Sequence, residues 1–196
     1  MKIAALILGI LFVMSCGNNS STKSTDNDLE SNKMNKREIY DTSKLTDNEK
    51  EILKAFYNRR LLFDNYLKKN NIKLYSCPGC GYPTLSERGG YEICSVCNWE
   101  DDGQDERQAN EIWGGPNQGL TLIENRLIIG KILQEIADSL SGHINDNPDE
   151  VMIAFDKHTI RMNSFDENKM MHALRDDPIW KEWREAKKEI LNDLIK

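Results

Sequence analysis

Four cysteines carry the most chemistry in this chain, and they fall in two pairs of the same spacing, Cys77-Pro78-Gly79-Cys80 and Cys94-Ser95-Val96-Cys97. A Cys-x-x-Cys pair closes a tight turn that directs both sulfurs at one point, and two such turns complete a tetrahedron around a metal ion. Pro78 pre-sets the first turn, and Gly79 and Gly81 relieve crowding near the ion. His143, His158 and His172 all lie far beyond Cys97, so the expected ligand set is sulfur alone. Four thiolates leave no open position for water, which points to a structural metal, zinc first and iron second. Two other uses of the same thiols stay open. Disulfides are favoured in extracytoplasmic compartments, yet closing one such short ring removes only about 2 kcal/mol of chain entropy, against about 10 kcal/mol or more from structural zinc. A thiol redox motif of the thioredoxin kind would need a strand before and a helix after Cys77-Pro78-Gly79-Cys80.

The remaining cysteine, Cys16, ends a different pattern. Met1-Lys2 is a short basic start, residues 3–14 are apolar, and Ser15 is a small residue just before Cys16. Twelve apolar residues are too few to span a bilayer, which takes about 20 as a helix, so the segment reads as an export signal. Val13, Ser15 and Cys16 resemble the lipobox of bacterial lipoproteins, in which the cysteine is lipidated and becomes the mature N-terminus. That resemblance implies a membrane partner through lipid on Cys16 and an extracytoplasmic, envelope-anchored location, with an ordinary cleaved signal or a buried apolar N-terminal helix as the alternatives. Another envelope or exported protein is the binding partner expected of a metal-stapled surface that carries no catalytic constellation. Nucleic acid is disfavoured: the net charge is −6, and no run of Lys and Arg makes the basic patch that phosphate binding needs.

A third group follows the second cysteine pair. Trp99, Glu100, Asp101, Asp102 and Asp105 form a candidate functional surface, with Gly103, Gln104 and Glu106 completing the acidic run. Placing Gly103 at the sixth position of an EF-hand puts Ala109 where the bidentate Glu must stand, so that calcium loop fails. An irregular cation site or a carboxylate pair for hydrolytic acid/base work is the functional reading, and a solvated turn with caps is the plain one. No catalytic residues are assigned. Neither Gly-x-Ser-x-Gly nor His-Glu-x-x-His occurs, and Gly114-Gly115-Pro116-Asn117 reads as a tight turn rather than a phosphate cradle. The chain thus reads as a non-enzymatic interaction protein, with a hydrolase using residues 100–106 or a thiol redox protein as the alternatives.

The run Tyr91-Glu92-Ile93-Cys94-x-Val96-Cys97-x-Trp99-Glu100-Asp101-Asp102-Gly103 is followed by Gly114-Gly115-Pro116-Asn117, then Leu120-Thr121-Leu122 with Glu124 and Arg126. In that order these residues resemble the cysteine-rich CPCC family of small bacterial domains, over residues 75–131. The resemblance implies a metal-bound fold and no assigned reaction. One departure stands out: the family's middle cysteine is Gly79 here, so a role for a third thiol in that turn is lost, while Cys77 and Cys80 keep ligand spacing.

The elements that must position these groups are legible in part. Thr46 with Glu49 is a capping box opening an amphipathic helix to about residue 70, carried by Ile52, Phe56, Phe63 and Leu67. Thr121 with Glu124 opens a second, to about residue 140, where Ser141-Gly142 stops it. Residues 82–93, centred on Gly89-Gly90, suit a hairpin that folds one cysteine turn over the other. Residues 151–155 and 158–162 suit a second hairpin with Asp156-Lys157 as its turn. Asp177 and Pro178 start a last helix with Trp183, Ala186, Ile190 and Leu194 in one stripe, and the Trp180 and Trp183 pair is expected in the core. The organisation expected is a signal peptide (1–15), a flexible tether (16–44), an N-terminal helix (45–71), a cysteine-rich zinc module (72–131) and a mainly helical extension (132–196). The fold class expected is α+β, a zinc-ribbon-like β module flanked by amphipathic helices.

Overall fold

A computed structural model describes residues 40–196; the expected export signal, Cys16 and most of the expected tether lie outside the described residues. The described chain is helical. Its helices are α1 (Asp47–Lys69), α2 (Leu122–Ser139), α3 (Pro148–Asn163), α4 (Glu167–His172) and α5 (Pro178–Asp193), with short 3-10 turns at Thr42–Lys44, Glu106–Gln108 and Gly115–Asn117.

Among the described residues there is no strand and no sheet, only three isolated antiparallel bridges, Tyr75 with Leu85, Ile93 with Glu100 and Ile144 with Ile195. The α+β expectation is therefore corrected. Each cysteine turn closes on itself after one bridge, so its backbone groups are spent locally and no ladder can grow. The hairpin expected over residues 82–93 fails for the same reason: Ser86 donates from N and Oγ to the Glu92 carboxylate, and Gly89 N donates to Asp101.

The hairpin expected over residues 151–162 is also overturned, because these residues belong to α3. Asn147 caps the helix by accepting from the N–H groups of Asp149 and Glu150, Pro148 occupies the first turn, and both acidic residues suit the positive end of the helix dipole. Val151, Ala154, Phe155 and His158 are the buried positions, a spacing of three, four and seven that only a helix puts on one face.

Both expected capping boxes are present. Glu49 N donates to Thr46 Oγ1 at 3.3 Å while the Glu49 carboxylate accepts from Thr46 N at 3.0 Å, and Thr121 with Glu124 repeats the exchange. α1 turns Ile52, Leu53, Phe56, Phe63 and Leu67 inward and packs on α2, and α3 packs on α5. At the first crossing Gly130 lets the helices close, since a Cβ there would overlap the Ile52 Cγ2. Trp180 and Trp183, expected in the core, are half-buried and meet edge to face at 6.4 Å.

The C-terminus is tied in. His143 and Lys196 exchange backbone hydrogen bonds at 2.8 Å each, and Asn145 N donates to Leu194 O. At the other end Tyr40 N donates to Asn110 O, which docks the last tether residues on the cysteine-rich segment. No described helix is long and apolar enough to cross a membrane.

Candidate metal site

Two turns of near-identical construction hold the cysteines. In the first, Gly81 N donates to Cys77 O at 2.8 Å and Cys77 N donates to Tyr82 O at 2.8 Å. In the second, Asn98 N donates to Cys94 O at 3.0 Å and Cys94 N donates to Trp99 O at 2.9 Å. The residue after each pair is left-handed, Gly81 at φ 80° and Asn98 at φ 58°. Asn is among the few side chains that tolerate this conformation. Gly81 is required on a second count, because a Cβ there would stand 3.3 Å from Arg60 N and Phe56 O on α1.

The four sulfurs lie within 4.8 Å of one another, and all four thiols are free. Cys77 Sγ is 3.7 Å from Cys97 Sγ, and Cys80 Sγ is 3.5 Å from Cys94 Sγ. A tetrahedral ion with metal–sulfur bonds of about 2.3 Å has sulfur–sulfur edges of about 3.8 Å, whereas a disulfide requires about 2.05 Å. These two edges lie near the tetrahedral value and far from a disulfide. Both of these contacts join one turn to the other, so the turns face across a common centre.

Cys77, Cys80 and Cys94 are buried and Cys97 is partly exposed. Burial pushes the Cys77 and Cys80 thiols well above their ordinary range. Cys94 suffers the same burial, yet hydrogen bonds from Cys77, Cys80, Cys97 and Thr84 pull it well below. Burial thus opposes the charged form of Cys77 and Cys80, while neighbouring donors favour it at Cys94. A divalent ion would favour the thiolate through its charge. Two contacts already suit thiolate sulfur: Thr84 Oγ1 donates to Cys94 Sγ at 3.1 Å and Gly79 N to Cys77 Sγ at 3.3 Å.

Two arginines press on the first turn. Arg59 Nε donates to Cys80 O at 2.8 Å and Arg126 Nε to Pro78 O at 3.0 Å. Their guanidinium planes stack on Tyr82 and Phe56, at 4.8 and 4.1 Å from the ring centroids. A divalent ion with four thiolates carries a net charge of −2, and these cations are placed to offset it. Arg126 is fully buried, and its remaining contacts are Glu106 at 3.1 Å and Tyr57 Oη at 3.4 Å.

The acidic segment proves to be a strut. Asp101 is fully buried and accepts from Arg88 Nε at 2.9 Å and Gly89 N at 2.7 Å. Asp105 takes both Arg60 Nη atoms at 2.6 and 2.8 Å and Arg88 Nη1 at 2.8 Å. Partial burial alone would raise the Asp105 carboxyl; the two guanidiniums overcome this and hold it far below the usual carboxylate range. Asp102 accepts from Gln104 N, closing a turn, and the backbone of Glu100 is bracketed by the Asn117 amide, 3.0 Å on each side. Trp99 is buried against Gly79 beside the metal ligands. Of the five residues expected as a functional surface, Glu100, Asp102 and Asp105 are partly exposed and Trp99 and Asp101 are interior.

The sequence reading missed Arg59, Arg60 and Arg88. A signal existed for Arg60, which stands four residues after Phe56 and three before Phe63 and so shares their inward face. None existed for Arg88, which reaches Asp101 and Asp105 from a loop of irregular backbone.

Residues 75–132 match the family described as Cysteine-rich CPCC, and all four converging cysteines fall within that span. No curated protein and no solved structure matches the chain.

Proposed function

We propose that this protein is a lipid-anchored envelope protein whose CPCC module holds one structural zinc ion through Cys77, Cys80, Cys94 and Cys97, and that the stapled unit serves to bind another envelope or exported protein. The convergence of four sulfurs, three of them fully buried, carries the reading. Zinc is favoured over iron because a closed tetrahedral shell of sulfur suits an ion without redox change or geometric demand. The anchor rests on the order Val13-Met14-Ser15-Cys16. A binding role is favoured over hydrolysis by the acidic segment, since Asp101 and Asp105 are matched by Arg88 and Arg60. Thiol redox chemistry uses one pair working alone, whereas here close sulfur contacts run between the pairs.

Metal analysis of the purified chain by mass spectrometry, with thiol counting before and after chelation, tests the core of this reading. One equivalent of zinc and four thiols that react only after chelation are expected. A folded, metal-free protein cross-linked through sulfur sinks it. Labelling of growing cells with an alkyne fatty acid tests the anchor: label on the wild type and none on Cys16→Ser is expected, and equal labelling removes Cys16 from the proposal.

A further inference from the structure

A recess of about 510 Å³ opens between the second cysteine turn and α5. α5 buries Ile179, Ala186 and Ile190, and the flank beside that stripe presents Trp183, Lys187 and Leu191, one helical turn apart. Across from them stand Ile93 and Val96. Ile93 is 60% exposed at the mouth of the recess.

The charge of the recess runs against that of the molecule. Arg184, Lys187 and Lys188 line it and no carboxylate does, although the whole chain is −6. None of the three cations has an ion pair among the described residues; other lysines of the same region do, as Lys181 with Glu185 and Lys157 with Asp193. Lys187 Nζ lies 5.2 Å from the Trp183 ring centroid, which holds its charge beside the apolar floor. The volume falls in the range of sites that take a few side chains.

We propose that this recess is a docking site for an acidic peptide segment of a partner protein, with an apolar side chain of that segment seated on Ile93, Trp183 and Leu191 and its carboxylates on Arg184, Lys187 and Lys188. An unpaired cationic rim selects negative charge, and an apolar floor rewards a side chain that a bare anion lacks. A lipid surface shares the charge but is broad, and the apolar floor lies in a recess between a turn and a helix. The inference rests on the metal reading in one respect: Ile93 and Val96 flank Cys94, so the wall they form is shaped by the ligand turn.

The test is fluorescence anisotropy on the full chain with a short labelled peptide alternating Glu with Leu and Phe. Controls replace Glu by Lys, or Leu and Phe by Ser, and phosphatidylglycerol vesicles form a separate arm. Expected are binding weakened about tenfold or more in both control peptides, and a similar loss in the Arg184→Glu, Lys187→Glu, Lys188→Glu triple variant at unchanged metal content. Equal binding of wild type and triple variant overturns the proposal, as does charge-dependent binding to vesicles alone. A protein that holds its metal and ignores the peptide refutes this inference and leaves the metal reading intact. A metal-free folded protein that still binds the acidic peptide refutes the metal reading and leaves the recess standing.

Discussion

Gly79 shows how far one residue is set by its neighbours. Where the CPCC pattern has a cysteine, a Cβ here would stand 2.5 Å from Asn125 Nδ2 and 3.2 Å from both Cys97 Sγ and Trp99 Cβ. Asn125 is buried on α2 and its Nδ2 has no hydrogen-bond partner, so the side chain is held by packing and not by a bond it would lose on moving. A third thiol in this turn therefore competes with α2 for space. Gly79→Cys is expected to destabilise the metal-bound chain by about 1–3 kcal/mol, the usual range for overpacking. On an Asn125→Ala background the same substitution is expected to cost less than about 1 kcal/mol, because the obstructing amide is gone. Denaturant midpoints of the four proteins in a double-mutant cycle measure this, and an equal cost on both backgrounds would show that Asn125 is not the obstacle.

Between elements the decisive contact is ionic. Arg60 on α1, Arg88 in the loop between the cysteine turns and Asp105 at the start of a 3-10 turn make one cluster, and Asp105 caps that turn by accepting from Glu106 N. Asp105→Asn keeps the volume but removes the anion that two guanidiniums share, leaving Arg88 with Asp101 and Arg60 with only the distant Asp64 at 3.9 Å. The Asp105 carboxylate is 33% exposed, so the expected loss at neutral pH is about 1–3 kcal/mol, less than for a fully buried pair. The sign of its pH dependence follows from the depressed folded pKa: the stabilisation is complete above the unfolded value near 3.9 and is lost as pH falls through the folded one. The stability gap between wild type and variant should thus hold steady from about pH 8 to 5 and shrink only below about pH 4. Taking the difference at each pH cancels the acid loss of metal common to both proteins, and a gap that already closes near neutrality would refute the assignment. This cluster also marks where reading the sequence stops. Helix starts were legible because Thr46–Glu49 and Thr121–Glu124 are local signals, and the convergence of the four cysteines was legible because Cys-x-x-Cys spacing is local too. α3 was misread although Asn147, Pro148, Asp149 and Glu150 spell a helix start, because the short apolar runs on either side of Asp156-Lys157 mimic strands when read five residues at a time. The partners of Asp101 and Asp105 come from separate segments, and only the fold brings them together.

At the scale of the whole molecule, the cysteine turns and the helices share one interior. Cys77, Cys80, Cys94, Val96 and Trp99 belong to the same buried cluster as Ile52 and Phe63 of α1, Leu127 and Leu133 of α2, Val151 and Phe155 of α3 and Ile190 of α5. Tyr82 joins the parts directly, its ring 5.6 Å from Phe63 and 5.9 Å from Phe155. A structural zinc site contributes about 10–16 kcal/mol in small peptides, while a whole domain is stable by about 5–15 kcal/mol. On the proposed zinc site the ion's share would be comparable to the total, and the helices would not be expected to stand as an independent bundle without it. Chelation should produce a single transition in which near-ultraviolet dichroism, dominated by aromatic residues such as buried Trp99, and far-ultraviolet helical signal fall together, with both restored by one equivalent of zinc. If the helical signal survived stoichiometric removal of the metal while the aromatic signal collapsed, the ion would be bracing only its own two turns, and the shared interior would not be what couples them to the helices.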